Sequence, residues 1–128
     1  MGTFTVSTDD RLQVIDVTEN VRSEIPERTT GTATVFSRHT TTGVTINEAE
    51  GRLLDDFERA LSDLVTDSGW AHDAIDANAD SHVRSMLLGP SETVPIRNGE
   101  LQLGTWQSIL LVECDGPRSR TVEVVVTD

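Results

Sequence analysis

The chain has 128 residues, 22 of them Asp or Glu against 10 basic ones, for a formal net charge of −12. The length fits one domain, residues 1–128, with a buried core of its own. The charge sets the chain against nucleic acid and anionic membranes, because like charges repel before any specific contact forms. No apolar run approaches the roughly 20 residues that span a bilayer.

All ten basic residues are arginine, and lysine is absent. Self-repulsion at this charge works against the compact state in dilute salt. In molar salt the Debye length shrinks to about 3 Å, so the repulsion is screened while the acidic coat stays hydrated. The composition therefore points to the salt-filled cytosol of an extreme halophile. The N-terminal MGTFTVSTDDR has neither the basic nor the apolar region of a secretory signal, and a cytoplasmic location is expected. Cys114 has no second cysteine to pair with, and within ILLVEC it reads as a small core hydrophobe.

In chain order, 3-TFTVST-8 and 12-LQVIDVT-18 alternate as strands around a turn at Asp9-Asp10. Thr18 is placed to N-cap a short helix over 19–25, which Pro26 ends. A third strand, 32–38, runs straight into His39, and 43–47 is a fourth. The long helix is predicted at 49–66, where Leu53, Leu54, Phe57, Leu61, Leu64 and Val65 form one apolar stripe and Asp55, Asp56, Glu58 and Asp63 take the other face. Asn47 is a plausible N-cap, with acids in the first turn. Residues 67–80 read as loop, and Ser81 as the N-cap of a helix over 82–88 that Gly89 and Pro90 stop. The tail is β: 92–97, an Asn98-Gly99 hairpin, 100–103, then 106–114, a turn over DGPR, and 119–127. Strands, helices, then strands give an α+β fold: a largely antiparallel β-sheet with a long central helix and short helices.

The chemistry-bearing residues concentrate in 39-HTTTGVTINEAEG-51 and around the other two histidines. A catalytic metal site needs three protein ligands, an open position and carboxylates that orient the imidazoles. His39, His72 and His82 can supply the ligands, with Glu48 or Asp73 behind them, for Zn²⁺ or Mg²⁺. Their spacing matches no compact zinc motif, so scattered surface histidines stay open as the alternative. Asn47 and Glu48 are equally explained as helix-cap residues. With no GxGxxG and no GxxxxGK[ST], a nucleotide cofactor has no support.

Taken in order, HTTTGVTINE, a helix, HD, SHVRSMLLGPS and LGTWQSILLVECDGPRSR resemble the YjbQ family, small proteins described as secondary thiamine-phosphate synthases. The resemblance implies an α+β homotrimer with a polar pocket near the subunit boundary. It implies transfer of a pyrimidine diphosphate unit to a thiazole phosphate, assisted by metal or histidine, the alternatives being a metal-dependent hydrolase or a non-catalytic trimer that binds a metal or a small phosphorylated metabolite. Carried onto this chain, the catalytic candidates are His39, His82, Asp73 and Glu48. The substrate-binding candidates are Thr41, Asn47, Arg84, Trp106, Gln107 and Arg118. At Arg84 the family often has lysine; arginine there can hold a phosphate but cannot act as a base near neutral pH.

Overall fold

The computed structural model describes Gly2–Asp128. Eight strands and three α-helices run in the order β1 (Gly2–Ser7), β2 (Gln13–Asp16), α1 (Thr18–Arg22), β3 (Gly31–Ser37), β4 (Thr42–Asn47), α2 (Gly51–Leu64), α3 (Ala79–Leu88), β5 (Ser91–Arg97), β6 (Glu100–Leu101), β7 (Ser108–Glu113) and β8 (Ser119–Thr127), with a 3₁₀ turn at Ala71–Ala74 before α3.

The single sheet expected from the strand pattern is in fact two. One has the order β1-β8-β3-β5-β6 and the other β2-β7-β4, and every pairing is antiparallel. The sheets face each other across a core of Ala33 and Val35 from β3, Val94 and Ile96 from β5, Val122 and Val124 from β8, and Val44, Ile109 and Leu111 from the smaller sheet. The other face of the smaller sheet presents Val14, Leu110 and Val112, beside Cys114, to Leu54, Phe57 and Leu61 of α2 and Leu88 of α3. β7 is thus covered on both faces, and its continuous ILLV run follows from that, since only a strand with one wet face needs to alternate.

The long helix is central in the chain and peripheral in the packing. α2 lies on the outer face of the smaller sheet, and none of its residues is fully buried. Leu64, assigned to its apolar stripe, is 75% exposed. Glu58, assigned to the solvent face, accepts the Val14 backbone N–H at 2.9 Å and so occupies a donor of the edge strand β2, which would otherwise be open to pairing. The N-cap is Glu50, not Asn47: its carboxylate accepts the Leu53 N–H at 2.8 Å. That hydrogen bond, followed by the one from Arg52, lowers the pKa of Glu50 below its ordinary value.

α3 begins at Ala79, three residues earlier than its polar pattern suggests, with Asn78 as the N-cap residue. Ser81 lies inside the first turn, and its hydroxyl donates to the Cys114 carbonyl. Likewise Ser85 donates to the Thr42 carbonyl, so two buried hydroxyls bolt α3 to the smaller sheet. At the hairpin, Asn98 (φ 51°) and Gly99 (φ 81°) both take the left-handed conformation that the Asn-Gly pair predicts. Among the described residues no helix is long and apolar enough to cross a membrane.

α3 also packs against β4 at Gly43, where an added Cβ would lie 2.7 Å from the Leu88 Cβ. Gly43→Ala is therefore expected to lower unfolding stability by about 1–3 kcal/mol, the usual cost of overpacking a filled site. Urea denaturation measures it, and a variant as stable as the parent would show that Leu88 can move aside.

Candidate functional site

β3 and β4 are joined by Arg38–Thr41, a tight connection held from within. The Ser37 and Thr42 hydroxyls share a buried hydrogen bond of 2.6 Å, and Ser37 also accepts the His39 N–H at 3.3 Å. The Thr41 carbonyl accepts the Cys114 N–H at 3.0 Å. His39 is turned toward β8, where its Nε2 accepts the Thr121 backbone N–H at 3.1 Å, just past the last β3–β8 pair, Ser37↔Val122. In the neutral ring the proton is therefore assigned to Nδ1.

His82 stands on α3 facing this connection. On its other side the His72 ring meets it edge-on, with centroids 5.1 Å apart and planes at 84°. His72 comes from the 3₁₀ turn, which Asp73 ties to α3 by accepting the N–H groups of Trp70 at 3.2 Å and Ala79 at 3.4 Å. Asp73 thus joins two elements. His72 Nε2 and Asn78 Oδ1 are buried without a hydrogen-bond partner among the described residues.

The third wall is the DGPR turn and the start of β8. Arg118 donates from Nε to the Asp115 carbonyl at 2.8 Å and from Nη2 to its carboxylate at 3.1 Å. Asn78 donates to the same carboxylate at 3.0 Å. Arg120 is clamped by Glu113 and donates to Thr41 Oγ1 at 2.8 Å. Together these walls enclose an open depression of about 340 Å³, lined by Arg38, His39, Thr40, Thr41, Asn78, His82, Asp115, Arg118 and Arg120. Three of the ten arginines and two of the three histidines face it, on a chain that is otherwise an acid.

The structure brings His39, Thr41, His82 and Arg118 together, with His72 behind His82. It does not bring in Asn47, Glu48, Trp106 or Gln107. His39 adjoins the Thr42↔Glu113 end of the β4–β7 ladder, whereas Trp106 and Gln107 adjoin the Asn47↔Ser108 end. Five strand steps of about 3.4 Å put the two groups roughly 17 Å apart. Asn47 accepts the Glu48 N–H at 2.8 Å, Gln107 accepts the Gly104 N–H at 2.8 Å, and Trp106 is 72% exposed.

Arg84 has a structural task in place of phosphate binding. Its guanidinium, 3% exposed as a residue, donates from Nε to the Leu61 carbonyl at 2.8 Å and from Nη2 to the Val65 carbonyl at 2.7 Å, closing the last turn of α2. Nη1 donates to Asp80, which is fully buried and also accepts Arg11 at 2.8 Å. It lies against a separate hollow with Arg11, Ser62 and Asp67 and does not line the depression.

The histidines do not form a metal seat within the chain. Among the described residues no three His, Cys, Asp or Glu side chains are placed to hold an ion. His39 Nε2 is taken by Thr121, and the His72 and His82 rings meet edge to face. Cys114 is the core residue its context suggests: burial first, then the Glu113 charge, pushes its thiol up to about 12, so it carries no thiolate at neutral pH.

Arg38, Asn78, Asp115 and Arg120 are the lining residues that the sequence pattern did not single out. One of them, Arg120, carried a legible signal: it shares the inward face of β8 with Val122 and Val124, while Glu113 ends the apolar run of β7. Opposite charges at core-facing positions of two strands call for each other.

Compared with known proteins, residues 2–128 match the family model described as UPF0047 protein YjbQ-like. A UPF0047 protein of Methanothermobacter thermautotrophicus is 48% identical over 122 residues, covering 93% of this chain and 85% of that one. YugU of Bacillus subtilis is 37% identical over 127 residues, with 94% of each covered. The crystal structure of a hypothetical protein from Aeropyrum pernix K1 superposes with a TM-score of 0.95 at 43% identity, covering 98% of this chain and 96% of that one. An uncharacterised yjbq/upf0047 protein of Clostridium acetobutylicum superposes with a TM-score of 0.90 at 35% identity, covering 99% and 100%.

Replacing Arg84 by alanine removes the closure of α2 and leaves the buried Asp80 with Arg11 as its one cation, a loss expected to cost about 1.5–3 kcal/mol. Guanidinium denaturation of Arg84→Ala checks it. A loss under 1 kcal/mol would return Arg84 to the list of ligand-binding residues.

Proposed function

The chain belongs to the YjbQ-like UPF0047 family, and from that premise we propose that its His39–His82 depression seats the phosphate or diphosphate of a small metabolite for group transfer. The reaction is that of a secondary thiamine-phosphate synthase: a thiazole phosphate attacks a pyrimidine diphosphate, the new bond forms, and pyrophosphate leaves. One observation carries the reading, the gathering of Arg38, Arg118, Arg120, His39 and His82 around one cleft of a chain with net charge −12.

Guanidinium groups suit this work. They stay charged, and their planar N–H forks match phosphate oxygens. Held in place before the reaction, they meet the charge that grows on the departing pyrophosphate without reorganising, which is where preorganised donors act most strongly. Each of the three is balanced by a carboxylate, Arg38 by Glu123 at 2.6 Å, Arg118 by Asp115 and Arg120 by Glu113, so the empty cleft is not a concentration of bare charge. His82, whose imidazole has no hydrogen-bond partner among the described residues, serves as the proton donor to the leaving group, and Thr40 and Thr41 offer hydroxyls beside it.

The chain acts in the cytoplasm as a homotrimer, and assembly completes the site. Trp106, Gln107, Asn47 and Glu48 of one copy approach the depression of the next. A contact joining opposite ends of the same ladder is heterologous, and such contacts form a ring where the rotation between copies closes. Large exposed apolar residues, among them Trp106, Leu64, Ile75 and Met86, support an assembly, since an acidic monomer has little use for them.

A second reading, a phosphometabolite-binding trimer without chemistry, draws on the absence, among the described residues, of a carboxylate partner to either His39 or His82, the usual means of orienting a catalytic imidazole.

Purified chain in high salt, supplied with both thiamine precursors, is expected to form thiamine phosphate and to run in light scattering as three 14.0 kDa chains. His82→Ala should slow turnover by about a hundredfold or more, the range of a lost general acid. Full turnover in that variant removes His82 from the mechanism, and no turnover in the parent selects the binding reading.

A further inference from the structure

We propose that Arg120 is the residue that grips the anion at the floor of the depression, and that Glu113 is the positioning residue that aims it; the inference rests on the phosphate-binding reading above. The two-residue period of β8 places Arg120 beside Val122 and Val124 on the core face, where it is 4% exposed. Glu113, at the end of β7 in the other sheet, is 0% exposed. The two face each other across the end of the sandwich.

The hydrogen bonding of the pair is lopsided. Arg120 donates from Nε to Glu113 Oε1 at 2.8 Å and from Nη2 to Oε2 and to Thr41 Oγ1. Glu113 also accepts Thr8 Oγ1 at 2.8 Å and the Asp115 N–H at 3.1 Å, so its carboxylate takes four donors. The guanidinium is not so filled. Its Nη1 has no recorded acceptor among the described residues, and it is not among the buried polar atoms left unpaired, while Arg120 lines the depression. One edge of the fork is fixed and the other faces the cleft.

Stability does not explain why a charged pair sits here. Apolar residues of similar volume would join the two sheets equally well or better. What the pair supplies is a guanidinium whose direction is set by a saturated carboxylate and whose free edge meets an oxyanion. Burial alone would raise the Glu113 carboxyl, but the hydrogen bonds from Arg120, the Asp115 amide and Thr8 bring its pKa below the ordinary 4.5, so the clamp is charged at neutral pH. Thr41 ties the same guanidinium to the connection that carries His39.

Calorimetric titration of the full chain with inorganic pyrophosphate, in high salt, tests this. The parent is expected to bind, and Arg120→Ala to bind at least tenfold more weakly, with affinity partly restored by methylguanidinium, which can refill the vacated place beside Glu113. Glu113→Gln should weaken binding severalfold while leaving the fold intact. If Arg120→Ala does not fold, Glu113→Gln combined with Arg120→Met removes both charges together and is expected to stay folded yet fail to bind. A folded Arg120 variant with parental affinity, or loss that methylguanidinium does not touch in a folded Arg120→Ala, would overturn the assignment and leave Arg120 a structural partner of Glu113. A parent that does not bind pyrophosphate removes the phosphate reading itself, and this inference with it.

Discussion

β7 has water on neither face, and most of the molecule is arranged around that constraint. Ile109 and Leu111 look into the sandwich, while Leu110 and Val112 look toward the helices. A strand buried this way needs a layer on each side, which the larger sheet and the α2–α3 pair provide. The inward series ends in Glu113. An isolated buried carboxylate is very costly, so a cation from the facing sheet must meet it. Arg120 does so, and the end of the sandwich is thereby both closed and made polar. The depression lies at that end for this reason: the helix layer brings His82 there, the larger sheet brings Arg120, and the β3–β4 connection brings His39.

The placement of His82 relative to His39 depends on how α3 is held. Its apolar contacts alone would permit sliding, because a helix on a sheet makes few directional bonds. Ser81 and Ser85 supply direction by donating to carbonyls of Cys114 and Thr42, two residues that frame the His39 connection. At the other side of the helix Arg84 and Asp80 fasten it to the end of α2. Here polar groups in the interior set position, while the apolar clusters supply most of the burial energy.

Local patterns were legible in the sequence and long-range pairings were not. The strands announce themselves by two-residue alternation, α2 by its stripe, and the hairpin by Asn98-Gly99. That the strands divide into two sheets depends on pairings such as β1 with β8, which join the ends of the chain and leave no local mark. The N-cap of α2 was misplaced at Asn47 because Asn is the stronger capping type, yet the backbone stays extended as far as Glu50, whose carboxylate does the capping. Arg84 resembled a ligand residue because it follows a histidine in a motif; only the packing of α2 shows its donors to be spent on carbonyls. The candidate site was half legible. Its histidines and Arg118 stood in recognisable motifs and Arg120 left a trace as a charge on a core-facing position, but Asn78 became visible only when three separate segments were brought together.

The distribution of arginines bears on how an anion could approach such a chain at all. Arg11, Arg22, Arg38, Arg52, Arg59, Arg84, Arg118 and Arg120 each lie within an ion pair, so the excess carboxylates dominate the field at a distance. An incoming phosphate is therefore repelled until it is within a few ångströms of the cleft. The far field and the contacts differ in range, and salt separates them. Screening removes the repulsion beyond a Debye length, about 3 Å at 1 M, while a guanidinium in direct contact with an oxyanion inside a partly enclosed cleft is screened much less. A basic cleft on an acidic coat is thus a poor receptor in dilute buffer and a serviceable one in concentrated salt. The same screening that keeps an acidic coat hydrated would let the phosphate proposed for the cleft reach it.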